Sequence, residues 1–139
     1  MKLTVNSPCP CGSPLKYKKC CKVFHDNIKN PSNSLELMKS RFSAYAFKQS
    51  NYIIKTTHKE NQDYSENILE WEKEIEIFSS NTDFDKLEIL EFIKGEIESF
   101  VTFRATLFQN KNDVSFIEKS RFKKEDNIWL YVDGQFLEN

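Results

Sequence analysis

The sequence predicts an α+β protein: a small metal-held knuckle at the N-terminus, then helices, then an antiparallel sheet. Three observations predict it. All four cysteines fall between positions 9 and 21 of the 139 residues. From Leu35 to about Asn81 the apolar residues recur at helical spacing, and beyond Asn81 the pattern changes to strands. The last strand-like segments are joined by short polar loops, as in an antiparallel meander, and helices followed by strands is an α+β order.

The first element is the cysteine cluster, Cys9-Pro10-Cys11-Gly12-Ser13 followed by Lys19-Cys20-Cys21. Thiols gathered in two tight pairs suit a closed shell of four sulfurs about 2.3 Å from a divalent ion, the usual structural zinc geometry. Cys9, Cys11, Cys20 and Cys21 are the expected ligands of one structural Zn²⁺. Disulfides compete with this reading but need an oxidising compartment, and Met1–Pro8 holds no apolar stretch of signal-peptide length. A redox dithiol would call for two intervening residues and a βαβ context, neither of which is present. Iron–sulfur binding is allowed by ligand type, but the compact spacing favours one small ion. Gly12 permits a tight turn. Ser13 and Pro14 read as cap and first position of a short helix, Leu15 to Cys21, with Tyr17 against the knuckle. So small a loop has almost no core of its own, so the metal should supply most of its folding free energy. His25 is an alternate or fifth candidate ligand beside four cysteines that already fill the shell.

The knuckle is expected over residues 1–28, a linker over 29–34 and the body over 35–139. Asn30-Pro31-Ser32-Asn33-Ser34 stops one helix and offers caps for the next. A helix is expected over 35–48, burying Leu35, Met38, Phe42 and Tyr45. A short helical segment follows over 51–57, then a polar loop over 59–64. A further helix, capped by Ser65, runs to Phe78 with Ile68, Trp71, Glu72, Ile75 and Phe78 on its inner side. Strands are expected over 87–93, 96–108, 114–123 and 128–133. If the first hairpin is symmetric about Lys111, Arg104 faces Glu118 and Phe100 faces Phe122. One apolar sheet face then holds Phe100, Phe108, Val114, Phe116, Phe122 and Leu130, with Arg104 and Glu118 as a polar island. Trp129 and Tyr131 point the other way, covering the outer face or forming a contact patch for a partner or dimer.

Twelve phenylalanines and only three glycines argue for a packed core and against both disorder and nucleotide-binding loops. No apolar run reaches membrane-span length, and the cytoplasm is the expected location. Net charge is −1, but six lysines precede position 30 against Asp26 alone. This basic knob on an acidic body suits a contact with phosphates, including those of nucleic acid, or with an acidic protein. It also suits local compensation of the formal −2 that four thiolates leave around Zn²⁺.

The run from Cys9 to Cys21 resembles the SEC-C motif, the zinc module at the C-terminus of the translocation motor SecA. There it engages the chaperone SecB and the ribosome, and its last ligand is often His where this chain has Cys21. Leu37-Met38-Lys39-Ser40-Arg41-Phe42-Ser43-Ala44-Tyr45 and Tyr52-Ile53-Ile54-Lys55-Thr56-Thr57-His58 resemble the second signature of the YchJ family. Phe116–Phe122 and Trp129–Gly134 resemble its third. The resemblance implies a SEC-C knuckle joined to a cone-like, nuclear transport factor 2-like (cystatin-like) α+β body, in a family whose biochemistry is largely uncharacterised. Longer members carry a second SEC-C copy after the Asp-Gly signature.

The resemblance makes an adaptor the leading expectation: Lys16, Lys18, Lys19 and Lys22 present a basic surface to a protein or ribosome-associated partner, and an enzyme is the less favoured class. The alternative is a small-molecule-binding or enzymatic cone with zinc as an accessory. Its pocket would use Arg104, Glu118 and His58. Against it, the favoured reading of Arg104 and Glu118 is a structural cross-strand ion pair, and that of His58 is a helix cap or surface residue. Arg41 reads as one end of a helix-to-sheet salt bridge or as pocket lining.

Overall fold

The computed structural model describes residues 2–138. A 3₁₀ turn, Tyr17–Lys19, precedes α1 (Lys22–His25), α2 (Ser34–Ala46), α3 (Ser50–Lys55) and α4 (Ile68–Ser80). Then come β1 (Asp83–Ile93), β2 (Glu98–Gln109), the two-residue β3 (Asn112–Asp113), β4 (Phe116–Glu125) and β5 (Ile128–Leu137). The sheet is antiparallel in the order β1-β2-β4-β5, with β3 a short extra rung on β2. The expected α+β architecture is present.

The helix starts follow from their caps. Asn33 accepts the Glu36 amide at 2.8 Å, while Glu36 reaches back to the amide and hydroxyl of Ser32. Asn67, rather than Ser65, caps α4 by accepting the Glu70 amide; Ser65 instead accepts the Asn67 amide. Reciprocal side-chain bonds of this kind satisfy amides that the first helical turn leaves open.

α2 touches β1, β2 and β5. β1 and β5 are opposite edges of the sheet, and four flat strands would set such edges about 14 Å apart. A single helix reaches both only if the sheet curls round it. Bulges in β1 and between β4 and β5 supply local bends. Because sheet, α3 and knuckle surround it, α2 is buried on more than one stripe: Leu37, Ser40, Ser43 and Ala44 are as inaccessible as Met38 and Phe42.

The hairpin register differs from the expectation by one residue. β2 pairs β4 with Phe103 opposite Glu118 and Arg104 opposite Ile117. The cause is the turn. Asn110 and Lys111 form a two-residue loop with φ of 54° and 68°, so the hairpin centres between them and not on Lys111. One residue of slip reverses a strand's faces. Phe116 and Phe122 line the inner face as expected, but on β2 that face carries Val101, Phe103, Ala105 and Leu107. Phe100 lies on the outer side beneath the Lys119 ammonium. Leu130 pairs with Lys123, also outside, whereas Trp129 is buried in the core and Tyr131 faces the helices.

Candidate metal centre

The chain before Ser13 and the chain after it form a small ribbon. Cys9 N–H donates to the Leu15 carbonyl, Tyr17 N–H to Ser7 and Lys18 N–H to Val5, with Pro8 bridging Lys16. The expected helix over 15–21 is therefore absent. Extended pairing takes Leu15 and Lys16, the 3₁₀ turn takes Tyr17–Lys19, and helix begins only at Lys22. Gly12 closes the first turn at φ +93° with its N–H on the Cys9 carbonyl, a conformation in which an L side chain is strained.

This folding brings the Sγ atoms of Cys9, Cys11, Cys20 and Cys21 within 4.8 Å of one another. Cys11 and Cys20 are 3.7 Å apart. Four sulfurs around one ion at about 2.3 Å have tetrahedral edges of about 3.8 Å, so the spacing fits a single divalent ion. All four thiols are free, and all but Cys20 are buried. Without a cation the group cannot ionise together. S–H donation from Cys11 and Cys21 holds Cys9 far below the usual thiol value. The same contacts, with burial, push Cys21 far above it.

His25 does not join the sulfurs. Its Nε2 lies 2.8 Å from the Ser40 carbonyl and its Nδ1 2.6 Å from the Tyr17 hydroxyl. A carbonyl only accepts, so Nε2 carries the proton and Nδ1 accepts from Tyr17. Burial lowers the pKa of this neutral ring. Tyr17 in turn stacks on Phe47, with centroids 3.6 Å apart, and the Cys9 sulfur meets the Ser43 hydroxyl at 3.4 Å. The knuckle and body share one hydrophobic cluster through these contacts.

Lys16, Lys18 and Lys19 are exposed, and among the described residues no carboxylate stands at ion-pair distance from them. Lys22 differs: its ammonium is 2.5 Å from Asp26, one turn along.

The residues expected to form a pocket in the body separate. Arg104 stands on the outer face in a cross-strand contact with Glu88 at 3.4 Å, a consequence of the register slip. Glu118 stays on the inner face, where its Oε2 accepts from Ser120 at 2.5 Å and from the Tyr131 hydroxyl at 3.0 Å. His58 is almost fully buried near the edge of β5. Its N–H meets the Tyr131 carbonyl, its Nδ1 accepts the Glu60 amide, and its Nε2 lies 2.5 Å from Glu125. Among the described residues it has no hydrogen bond or ion pair with Glu118 or Asp63, and it lines none of the cavities below.

Arg41 takes the second of its two expected roles, pocket lining. It forms no salt bridge to the sheet. Its Nη1 donates to the Ile53 carbonyl and to the hydroxyls of Thr56 and Thr57, and its guanidinium lies 4.7 Å over the Tyr131 ring. Between α2 and the sheet is a cavity of about 180 Å³ lined by Arg41, Glu118 and a wall of aromatic side chains. A wider cleft of about 700 Å³ shares Arg41, Tyr45, Glu118 and Tyr131 with it and leads outward past Asp63 and Gly134.

Comparison with known proteins agrees with this layout. Residues 6–22 match the SEC-C motif. A solution structure of a SEC-C motif containing protein from Rhodopseudomonas palustris superposes with a TM-score of 0.81 at 27% identity, covering 94% of this chain and 98% of that one. A crystal structure of a SEC-C motif containing protein from Psychrobacter arcticus shares the fold, with a TM-score of 0.79 at 24% identity, over 99% of this chain and 87% of that one. A UPF0225 protein of Vibrio parahaemolyticus is 34% identical over 136 residues, 95% of this chain and 77% of that protein. A UPF0225 protein of Enterobacter sp. is 35% identical over 136 residues, 94% of this chain and 86% of that protein. Residues 33–134, most of the body, match the model of the YchJ middle NTF2-like domain, and with these relatives the chain belongs to the YchJ (UPF0225) family.

Proposed function

We propose that the chain is a cytoplasmic zinc-binding adaptor: Cys9, Cys11, Cys20 and Cys21 hold one structural Zn²⁺, and the basic face of the knuckle contacts an acidic protein or a ribosome-associated partner. The observation that carries the reading is the convergence of four thiols at tetrahedral spacing. A full thiolate shell leaves no open position, so the ion braces structure and does not bind substrate. The resemblance to the SecA module supports the contact role. So do three lysines free of carboxylate partners among the described residues and the half-exposed Val5 and Leu15 on the same ribbon. A mixed apolar and cationic face suits a protein surface of complementary charge.

Metal analysis of the purified chain tests the first part. One equivalent of zinc is expected, and it is lost in Cys9→Ser; a metal-free protein with four titratable thiols would overturn it. Affinity capture from the native cell tests the second. The triple variant Lys16→Glu, Lys18→Glu, Lys19→Glu should keep zinc and lose the partner that the wild-type chain retains. Equal capture by both proteins would sink the adaptor reading while leaving the metal site intact.

A further inference from the structure

The body holds two charged side chains that serve neither the metal nor the basic face. Arg41 is more than nine-tenths buried. Its Nη1 donates to three neutral oxygens, the Tyr45 hydroxyl is a further neutral neighbour of the guanidinium, and among the described residues no carboxylate lies at ion-pair distance. A buried guanidinium held only by neutral groups is costly unless something else compensates it. Glu118 also lacks a cationic partner among the described residues; Ser120 and Tyr131 occupy its Oε2 and leave Oε1 available. Tyr131 ties the two charges together, its ring under Arg41 and its hydroxyl on Glu118. Both charges stand where the cavity joins the wider cleft, so they mark the mouth. The interior beyond them is apolar, walled by Met38, Phe42, Phe84, Phe103, Leu107 and Phe122.

We infer that this cavity binds a small aromatic molecule whose ring enters the apolar interior and whose head group presents an acceptor to Arg41 and a donor to Glu118. Size sets the ring count. An apolar cavity of about 150 Å³ accepts benzene, so the space here takes one substituted ring and not a fused or drug-sized ligand. Charge sets the head. A carboxylate alone meets Arg41 but opposes Glu118; an amine alone does the reverse. A neutral carboxamide satisfies both at once, with its C=O toward Arg41 Nη2 and its N–H toward Glu118 Oε1. The site is independent of the zinc reading, because none of its lining residues belongs to the knuckle.

The test is ligand-observed NMR titration of the full zinc-loaded chain with benzamide, benzoate, benzylamine and ethylbenzene. Benzamide is expected to bind, with each of the other three weaker by about tenfold or more, the worth of one hydrogen bond to a charged group. Ala105 lies on the cavity wall, and Ala105→Met should fill the space and abolish benzamide binding while the chain still melts cooperatively. Glu118→Gln removes the negative charge, so benzoate should gain about tenfold relative to benzamide. No benzamide binding at millimolar concentration overturns the inference. So does ethylbenzene binding equally well, benzamide binding that survives Ala105→Met, or an unchanged benzoate-to-benzamide ratio in Glu118→Gln.

Discussion

Gly134 on β5 leaves the space in which the Glu118 carboxylate sits: a Cβ at position 134 would lie 2.2 Å from Glu118 Oε2. This is a use of glycine for room and not for backbone freedom, since Gly134 is not among the residues of positive φ. The Asp-Gly pair near the C-terminal end of the body is thereby linked to the one carboxylate on the inner face of β4. Gly134→Ala should push Glu118 off Ser120 and Tyr131. The expected cost is about 3 kcal/mol, two hydrogen bonds to a charged acceptor at roughly 1.5 kcal/mol each. In a Glu118→Ala background the same substitution should cost almost nothing, or stabilise slightly. Denaturant melts of the four proteins in a double-mutant cycle give the coupling. Additive effects would show that the close approach has no energetic weight.

His25 makes the knuckle's attachment pH-sensitive. Its ring is neutral in the fold, and burial holds its pKa below the ordinary 6.5. The unfolded chain therefore takes up the proton first. The stabilising contribution is fully present above pH 6.5, declines as pH falls through that value, and levels off below the folded-state pKa. Wild type should lose more stability than His25→Gln between about pH 7 and pH 5. Protonation of the metal thiolates is common to both proteins and cancels in the difference. Parallel pH profiles would remove His25 as the cause. Tyr17→Phe should weaken the same brace by about 1 kcal/mol through loss of the hydroxyl donor to Nδ1.

Metal removal should reach beyond the knuckle. Cys9 touches Ser43 on α2 and Tyr17 stacks on Phe47 just after it, so the body loses packing when the sulfurs lose their ion. A chelator strong enough to strip zinc should lower the melting temperature of the whole chain and collapse the amide signals of residues 5–25 toward random-coil positions. The inner sheet residues Val101 and Ala105 should retain hydrogen-exchange protection. Unchanged melting after verified metal loss would mean that the contacts hold without the ion.

What the sequence made legible was whatever lies in short-range pattern. The metal cluster is four residues of one type at close spacing, and helical periodicity places α2, α3 and α4 within a few residues. The knuckle helix was not legible, because its cap-like Ser13-Pro14 precedes a segment whose backbone pairs with Pro8 instead. Nor was the pocket. It depends on which face of β2 turns inward, and that is decided by one residue of loop length. Of the two roles expected of Arg41, pocket lining stands and the salt bridge does not, for a related reason: its partners are the Ile53 carbonyl on α3 and the Thr56 and Thr57 hydroxyls just after it, and no charge pattern in the sequence marks neutral acceptors.

The turn that fixed the register is itself testable. Asn110 and Lys111 both have positive φ, the arrangement of a type I′ hairpin, in which glycine is favoured at the second position. Asn tolerates the left-handed region; Lys pays for its Cβ there with about 1 kcal/mol. Lys111→Gly should therefore raise stability by about 0.5–1 kcal/mol, despite the flexibility that glycine adds to the unfolded chain. Lys119→Gly, the same exchange inside β4, should lower it by a similar amount. Thermal melts of the two variants read the contrast directly. If Lys111→Gly destabilises as Lys119→Gly does, the loop is not a two-residue left-handed turn. Arg104 would then face Glu118 again, and the separation of the two across the sheet would fail with it.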